Sequence, residues 1–327
     1  MKIYLTLDYE LFFGKSGSLQ KCILEPTDRL AEICARHRAP CVFFVDAGYL
    51  ERLRTYSAHF PQLGRDREQL INQIKRLSDA GHDLQLHVHP HWEETVYDGN
   101  NWIFDLSRYR VHAFSNDSVL DIFGRYIAAI TDITKKPVTA FRAGGWCIQP
   151  FDKFRLAFDR FNIVVDSTLF VGGKNVTPRE WFDFTTAPDL DYWRFYTDPC
   201  QQEANGKFIE IPITSYRLSP KFFWCLAVTK MIKSKSHRMF GDGTSSPNSP
   251  GQLLRLLTIP STSVVSMDGY KSSFLMDAYK QMKRRQRNHF VVTGHPKAFS
   301  EYALAKVDQF LSNLDPQDEV ATFAAVG

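Results

Sequence analysis

No two of the six cysteines (Cys22, Cys34, Cys41, Cys147, Cys200, Cys225) form a Cys-x-x-Cys pair, which argues against a structural zinc site. Six thiols in a chain of 327 residues do not suggest a disulfide framework either; reduced thiols in a cytosolic protein are the simpler reading. Basic and acidic residues nearly balance, 40 against 36. The net charge is +4, far below the density of a dedicated nucleic-acid binder, so nucleic acid is not an expected partner. Long hydrophobic runs are missing too: the stretch 222–228 is much too short to span a bilayer. The first seven residues are cut short by Asp8 and Glu10, with no apolar core and no small-residue cleavage site after them, so a cytoplasmic location is expected. No Gly/Pro/Ser-rich linker and no internal repeat divides the chain. A single domain over 1–327 is expected, with a loop and helix excursion around 215–250 and a loop at 241–251 (GDGTSSPNSPG).

Apolar residues make up 44% of the chain and phenylalanine alone fills 26 positions, enough for a sizeable core. Short apolar runs at 3–8, 41–46, 83–88, 138–142, 162–167, 208–213, 263–267 and 290–293 read as strands, several of them buried on both faces. Helical patterns lie between them at 26–37, 67–80, 117–134 and 300–314. Pro26 suits a first helical turn and Gly81 suits a helix end. Such alternation predicts an α/β fold, either a parallel (β/α) barrel or a doubly wound sheet.

The strongest local signal is Gly81-His82-Asp83-Leu84-Gln85-Leu86-His87-Val88-His89-Pro90-His91, with His87, His89 and His91 on alternate positions after an apolar run. Neutral imidazole is the commonest protein ligand for zinc and its neighbours. Other chemistry-bearing residues gather at expected strand ends: Asp8 and Glu10, Arg142, Asp166 and His295. In a parallel barrel those ends open onto one face, which holds the active site. Asp8 and Glu10 are two residues apart and share a side of an extended strand, and the three histidines have one parity.

These segments resemble, in order, the motifs of the polysaccharide deacetylases of the NodB-homology type, carbohydrate esterase family four. Leu5-Thr6-Leu7-Asp8-Tyr9-Glu10 resembles the acidic first motif. The run 81–91 resembles the second, Gly-His-Glu-Ile-Gly-x-His-x-x-x-His-Pro. Phe141-Arg142-Ala143-Gly144-Gly145-Trp146 resembles the third, Val165-Asp166-Ser167 the fourth and Val292-Thr293-Gly294-His295 the last. The resemblance implies a distorted parallel (β/α) barrel and a hydrolase with one divalent metal ion, zinc by default, that removes an N-acyl group, usually acetyl, from an amino sugar. It implies Asp8 as general base, with Glu10, His87 and His91 as metal ligands. Arg142 would hold the base, and His295, oriented by Asp166, would be the general acid. It places Gly145 and Trp146 on the oxyanion and substrate side. His89 is extra to the motif and either replaces His91 as ligand or contacts substrate. With a cytoplasmic setting, the partners expected are amino-sugar-containing glycans, nucleotide sugars or lipid-linked intermediates of an O-antigen or capsule. A deformylase, a cyclic-ureide hydrolase and a non-catalytic carbohydrate-binding relative are the alternatives.

The blander readings apply elsewhere. His82 precedes its strand and reads as structural; His37, His59, His112, His237 and His289 read as surface or packing residues. The segment 220–239 mixes Phe222, Phe223, Trp224 and Leu226 with Lys230, Lys233, Lys235 and Arg238 and has no acidic residue. It reads either as an amphipathic helix on an anionic membrane or, the favoured expectation, as a core-packing helix with a solvated basic end. The run 280–287 (KQMKRRQR) reads as a solvated helix face.

Overall fold

The computed structural model describes residues 1–232, 234–245 and 250–326. Residues 246–249 of the expected loop 241–251 and Lys233 of the basic segment lie outside the described residues, as does the side chain of Lys230.

Among the described residues the main sheet has nine strands. In chain order they are β1 (Lys2–Tyr9), β2 (Cys41–Asp46), β3 (Asp83–Val88), β4 (Ala140–Ala143), β5 (Val165–Asp166), β6 (Trp193–Phe195), β7 (Phe208–Glu210), β8 (His289–Val292) and β9 (Glu319–Val320). They lie in the order β6-β7-β5-β4-β3-β2-β1-β8, with β9 also on β1. Every pairing is parallel except β6 with β7. β2 (CVFFVD) is buried at every position and reads as a near-continuous apolar run; β3 (DLQLHV) is also buried throughout but alternates, its Asp83, Gln85 and His87 satisfied by hydrogen bonds inside the protein. The sheet curls towards closure. Past β7, Ile213 N–H donates to Leu169 O and Thr214 N–H to Val291 O on β8, while Val265 N–H donates to Thr214 O and Met267 N–H to Thr293 O. The expectation of a distorted parallel (β/α) barrel is met.

The expected strand at 263–267 is divided. Ser261–Val264 pairs antiparallel with Ser215–Leu218 in a separate two-stranded ribbon. Only then does the chain join β8, through a parallel bridge between Ser266 and Thr293. The two legs of the excursion satisfy each other's backbone groups before they reach the sheet.

The helices are α1 (Glu25–His37), α2 (Ala47–Tyr56), α3 (Pro61–Asp79), α4 (Asn116–Thr134), α5 (Asp152–Phe161), α6 (Pro220–Ile232), α7 (Pro250–Thr258), α8 (Leu275–Arg284) and α9 (Glu301–Ser312). Pro61 opens α3, six residues before the expected start, because its missing N–H and fixed φ suit a first turn. α3 buries Leu63, Leu70, Ile74 and Leu77, one face of a 3.6-residue period. Ser115 and Ser300 cap α4 and α9 by accepting from Ser118 N–H and Ala303 N–H. Much of the phenylalanine packs around β4: the Phe141 ring lies 5.5 Å from Phe123, 5.6 Å from Phe154 and 5.3 Å from Phe158. That cluster fixes the strand one residue before Arg142.

Candidate metal centre and active-site cleft

The C-terminal ends of β1, β3, β4 and β8 deliver Asp8, Glu10, His87, His89, Arg142 and His295 to one region. Asp8, Glu10, His87, His89 and His295 all line one cavity of about 1050 Å³, whose wall also includes Tyr109, Trp146, Arg179 and Met239. Its size is at the top of the ordinary range for ligand sites.

The ligand atoms of Glu10, His87 and His89 lie within 4.8 Å of one another, and all three residues are buried. Glu10 Oε2 is 2.7 Å from His89 Nε2 and 3.3 Å from His87 Nε2. His87 Nδ1 donates to the Arg142 carbonyl at 2.8 Å, which leaves Nε2 facing Glu10. Metal-binding imidazoles characteristically donate their second N–H in this way. Burial pushes His89 down to about 4, so it is neutral near pH 7 and offers a lone pair. Burial opposes ionisation of Glu10, but Lys297, His89 and His87 together hold its carboxyl well below the usual range. Both His89 nitrogens and Glu10 Oε2 are buried and make no well-aligned hydrogen bond among the described residues, the close Glu10–His89 approach included, as is also true of the His91 nitrogens; such atoms fit a bound cation.

His91, expected as a ligand, is not in this group. The parity that carries His87 and His89 to one side stops at Pro90, where a 3₁₀ turn (Pro90–Glu94) begins. The His91 ring stacks on Tyr109 at 5.6 Å and 5° and lies 4.5 Å from Phe13. Of the two alternatives for the second histidine, His89 is the one whose ring lies within reach of Glu10 and His87.

Arg142 is 1% exposed and spans the floor. Its Nη1 donates to Asp8 Oδ1 at 2.8 Å, its Nε to Ser167 O at 2.7 Å, and its Nη2 to Ser167 Oγ at 3.2 Å. Burial would favour a neutral Asp8, but Arg142, His87 and His295 outweigh it and keep the carboxylate ionised.

His295 Nδ1 donates to Asp268 Oδ2 at 2.7 Å, and its backbone N–H to Asp268 Oδ1 at 2.7 Å. Its Nε2 faces Asp8 Oδ2 at 3.5 Å. Burial opposes the charge, yet Asp268 and then Asp8 push the imidazole up to about 10. Asp268 thus occupies the orienting place expected of Asp166. Asp166 is fully buried instead, accepting from Thr168 Oγ1 at 2.6 Å and in register with Glu210 on the neighbouring strand. Burial raises Asp166 to about 6, and burial together with Asp166 raises Glu210 well above its usual range, so ionising both carboxyls is disfavoured.

Gly145 sits at φ +59, where a Cβ would come within 2.7 Å of the Tyr109 ring, and the next residue, Trp146, follows at φ +58. Both line the cavity, Trp146 with its ring 5.4 Å from Phe170 and 5.8 Å from Phe182.

Sequence reasoning missed Asp268 and Lys297. Asp268 follows the run 263–267, so the rule that gathered residues at strand ends could have found it. Lys297 is buried, with Nζ donating to Glu10 Oε1 at 2.8 Å and to Leu11 O at 2.6 Å; nothing in its neighbourhood signals that role.

No family model and no curated protein matches the sequence. Solved structures do. Puue allantoinase matches with 12% identity over 99% of this chain and 88% of its own, at a TM-score of 0.52. A probable polysaccharide deacetylase from Pseudomonas aeruginosa PAO1 matches with 13% identity over 99% and 89%, at 0.50. The polysaccharide deacetylase Bc1974 from Bacillus cereus matches with 11% identity over 99% and 93%, at 0.43. The chain has the fold of the polysaccharide deacetylases, at 13% identity to one of them.

Proposed function

We propose that this protein is a metal-dependent hydrolase that removes an N-acyl group, acetyl in the first instance, from an amino sugar. The observation that carries the reading is the buried Glu10–His87–His89 group, with ionised Asp8 on one side and the His295–Asp268 pair beside it.

Glu10, His87 and His89 would hold one divalent ion, zinc being the default for such a donor set. When bound, that ion supplies an acidified water and polarises the acyl carbonyl. The chain's own residues do the rest. Asp8 accepts the proton of the attacking water, and Arg142 keeps it ionised and aimed. His295 carries a proton at neutral pH and delivers it from Nε2 to the leaving amine nitrogen, with Asp268 fixing the ring. The backbone at Gly145 lies at the cavity wall, where an N–H would meet the developing oxyanion. Trp146 and Tyr109 wall the sugar.

Within this reading the substrate is an amino-sugar-containing glycan, nucleotide sugar or lipid-linked intermediate of a surface polysaccharide such as an O-antigen or capsule, met in the cytoplasm. The test is product analysis: purified protein incubated with acetylated and formylated amino sugars in these forms, with acetate and formate measured separately. Acetate release abolished by Asp8→Asn and His295→Ala supports the reading. Formate alone moves it to a deformylase, and no release from any amide removes it. The likeness to an allantoinase favours one second reading, a cyclic-ureide hydrolase on the same fold, so allantoin belongs in the same assay.

A further inference from the structure

We propose that α6 and α7 dock this protein on an anionic lipid bilayer, with the mouth of the cavity turned to the membrane surface. The favoured sequence expectation, a core-packing α6, does not hold. Among the described side chains of α6 only Phe222 is well buried, against Tyr270 and Phe274, whereas Trp224 is 56% exposed, Met231 79% and Ile232 71%. The run Phe222–Val228 is apolar at seven consecutive positions, so α6 has no polar stripe to turn to water. The Trp224 indole N–H ties α6 to the Leu257 carbonyl of α7, and Leu254 and Ile259 extend the exposed apolar surface. Large apolar side chains left exposed on two packed helices mark an interaction site.

Charge selects the occupant. Residues 211–267 hold seven Lys/Arg and one acidic residue, a net +6 in a chain whose total is +4, so the remainder is net −2. Lys221, Lys235, Arg238 and Arg255 are exposed, and none has a carboxylate partner among the described residues. Apolar side chains rimmed by unpaired cations match the interface of an anionic bilayer, where the apolar groups enter the acyl boundary and the bases meet headgroup phosphates. No helix among the described residues is long and apolar enough to cross a membrane, so the surface lies on the bilayer.

Position links this surface to the site. From Ser234 the chain runs through Met239, 48% exposed and part of the cavity wall, to Gly243, Thr244 and Ser245, which line the same cavity. A docked protein would present its cleft to a headgroup-level glycan. This narrows the substrate to a lipid-anchored amino sugar, a step that rests on the hydrolase reading above; the docking itself does not.

Co-sedimentation of the full chain with phosphatidylcholine vesicles, with and without phosphatidylglycerol, tests it. The wild type should bind only the anionic vesicles, and added salt should release it. The triple variant Lys221→Glu/Lys235→Glu/Arg238→Glu should bind about a hundredfold more weakly, at roughly fivefold per basic residue. The variant Trp224→Ser/Met231→Ser should also lose binding. Circular dichroism melts and metal content, unchanged in both variants, show that fold and metal centre survive. Failure of the wild type to bind anionic vesicles overturns the proposal, as does full binding by both variants. So does a dimer in light scattering that the Trp224→Ser/Met231→Ser variant dissolves, because a second copy would then be what covers this face. None of these outcomes bears on acetate release from a soluble amide, so docking and hydrolysis fail separately.

Discussion

Asp268 holds His295 twice, one carboxylate oxygen on ring Nδ1 and the other on the backbone N–H, each at 2.7 Å. The carboxylate therefore sets both where the ring stands and which nitrogen faces the cavity. It also raises the imidazole, so the proton is held up to about pH 10 and lost above it. In Asp268→Asn the basic limb of the pH–rate profile should move to lower pH, and kcat should fall by roughly 10²–10⁴ with a smaller change in KM. Asp166→Asn should leave the basic limb where it is. A shift in Asp166→Asn and none in Asp268→Asn would return the orienting role to Asp166.

Arg142 and Asp8 form an ion pair inside the protein at 2.8 Å, with the arginine 1% exposed. Removing only the cation leaves a buried carboxylate without its partner. Arg142→Met should cost about 3–5 kcal/mol of stability, measured by denaturant unfolding. Arg142→Lys should recover part of it, because a lysine keeps the charge but loses the fork that reaches Ser167.

The Asp166–Glu210 pair predicts a pH dependence of stability. Both carboxyls are raised in the folded state, Asp166 to about 6 and Glu210 well above its usual range. In the unfolded chain they ionise near the usual value of about 4. Their contribution is therefore fully present below about pH 4 and is lost as pH rises through the folded values. Unfolding free energies at several pH values should show Glu210→Gln losing less stability than wild type between pH 4 and 7. Identical slopes would mean that the pair does not share a proton.

Gly145→Ala should be costly beyond its size. The residue needs φ +59, and the new methyl would meet the Tyr109 ring at 2.7 Å. The left-handed conformation alone costs an alanine about 1–2 kcal/mol, and displacing Tyr109 narrows the cavity. A melting point unchanged from wild type would contradict this.

Legibility in the sequence followed the kind of constraint. β2 and β3 were readable to the residue, β2 because a strand buried on both faces is a continuous apolar run ended by Asp46, and β3 because its apolar residues alternate from Leu84 to Val88. The convergence of Asp8, Glu10, His87, Arg142 and His295 was readable because the barrel gathers strand ends. The choice between His89 and His91 was not, since strand parity ends where Pro90 starts a turn. Asp268 and Lys297 were missed because their partners, His295 and Glu10, are 27 and 287 residues away. The exposure of α6 was equally hidden: an apolar run has the same composition whether core or solvent covers it.

The most direct test of the account is metal content in matched variants. Purified wild type loaded with zinc, His87→Ala, His89→Ala and His91→Ala would be dialysed and assayed for bound metal. The account predicts about one equivalent in wild type and in His91→Ala, and loss in His87→Ala and His89→Ala. Retention in His89→Ala with loss in His91→Ala would contradict it.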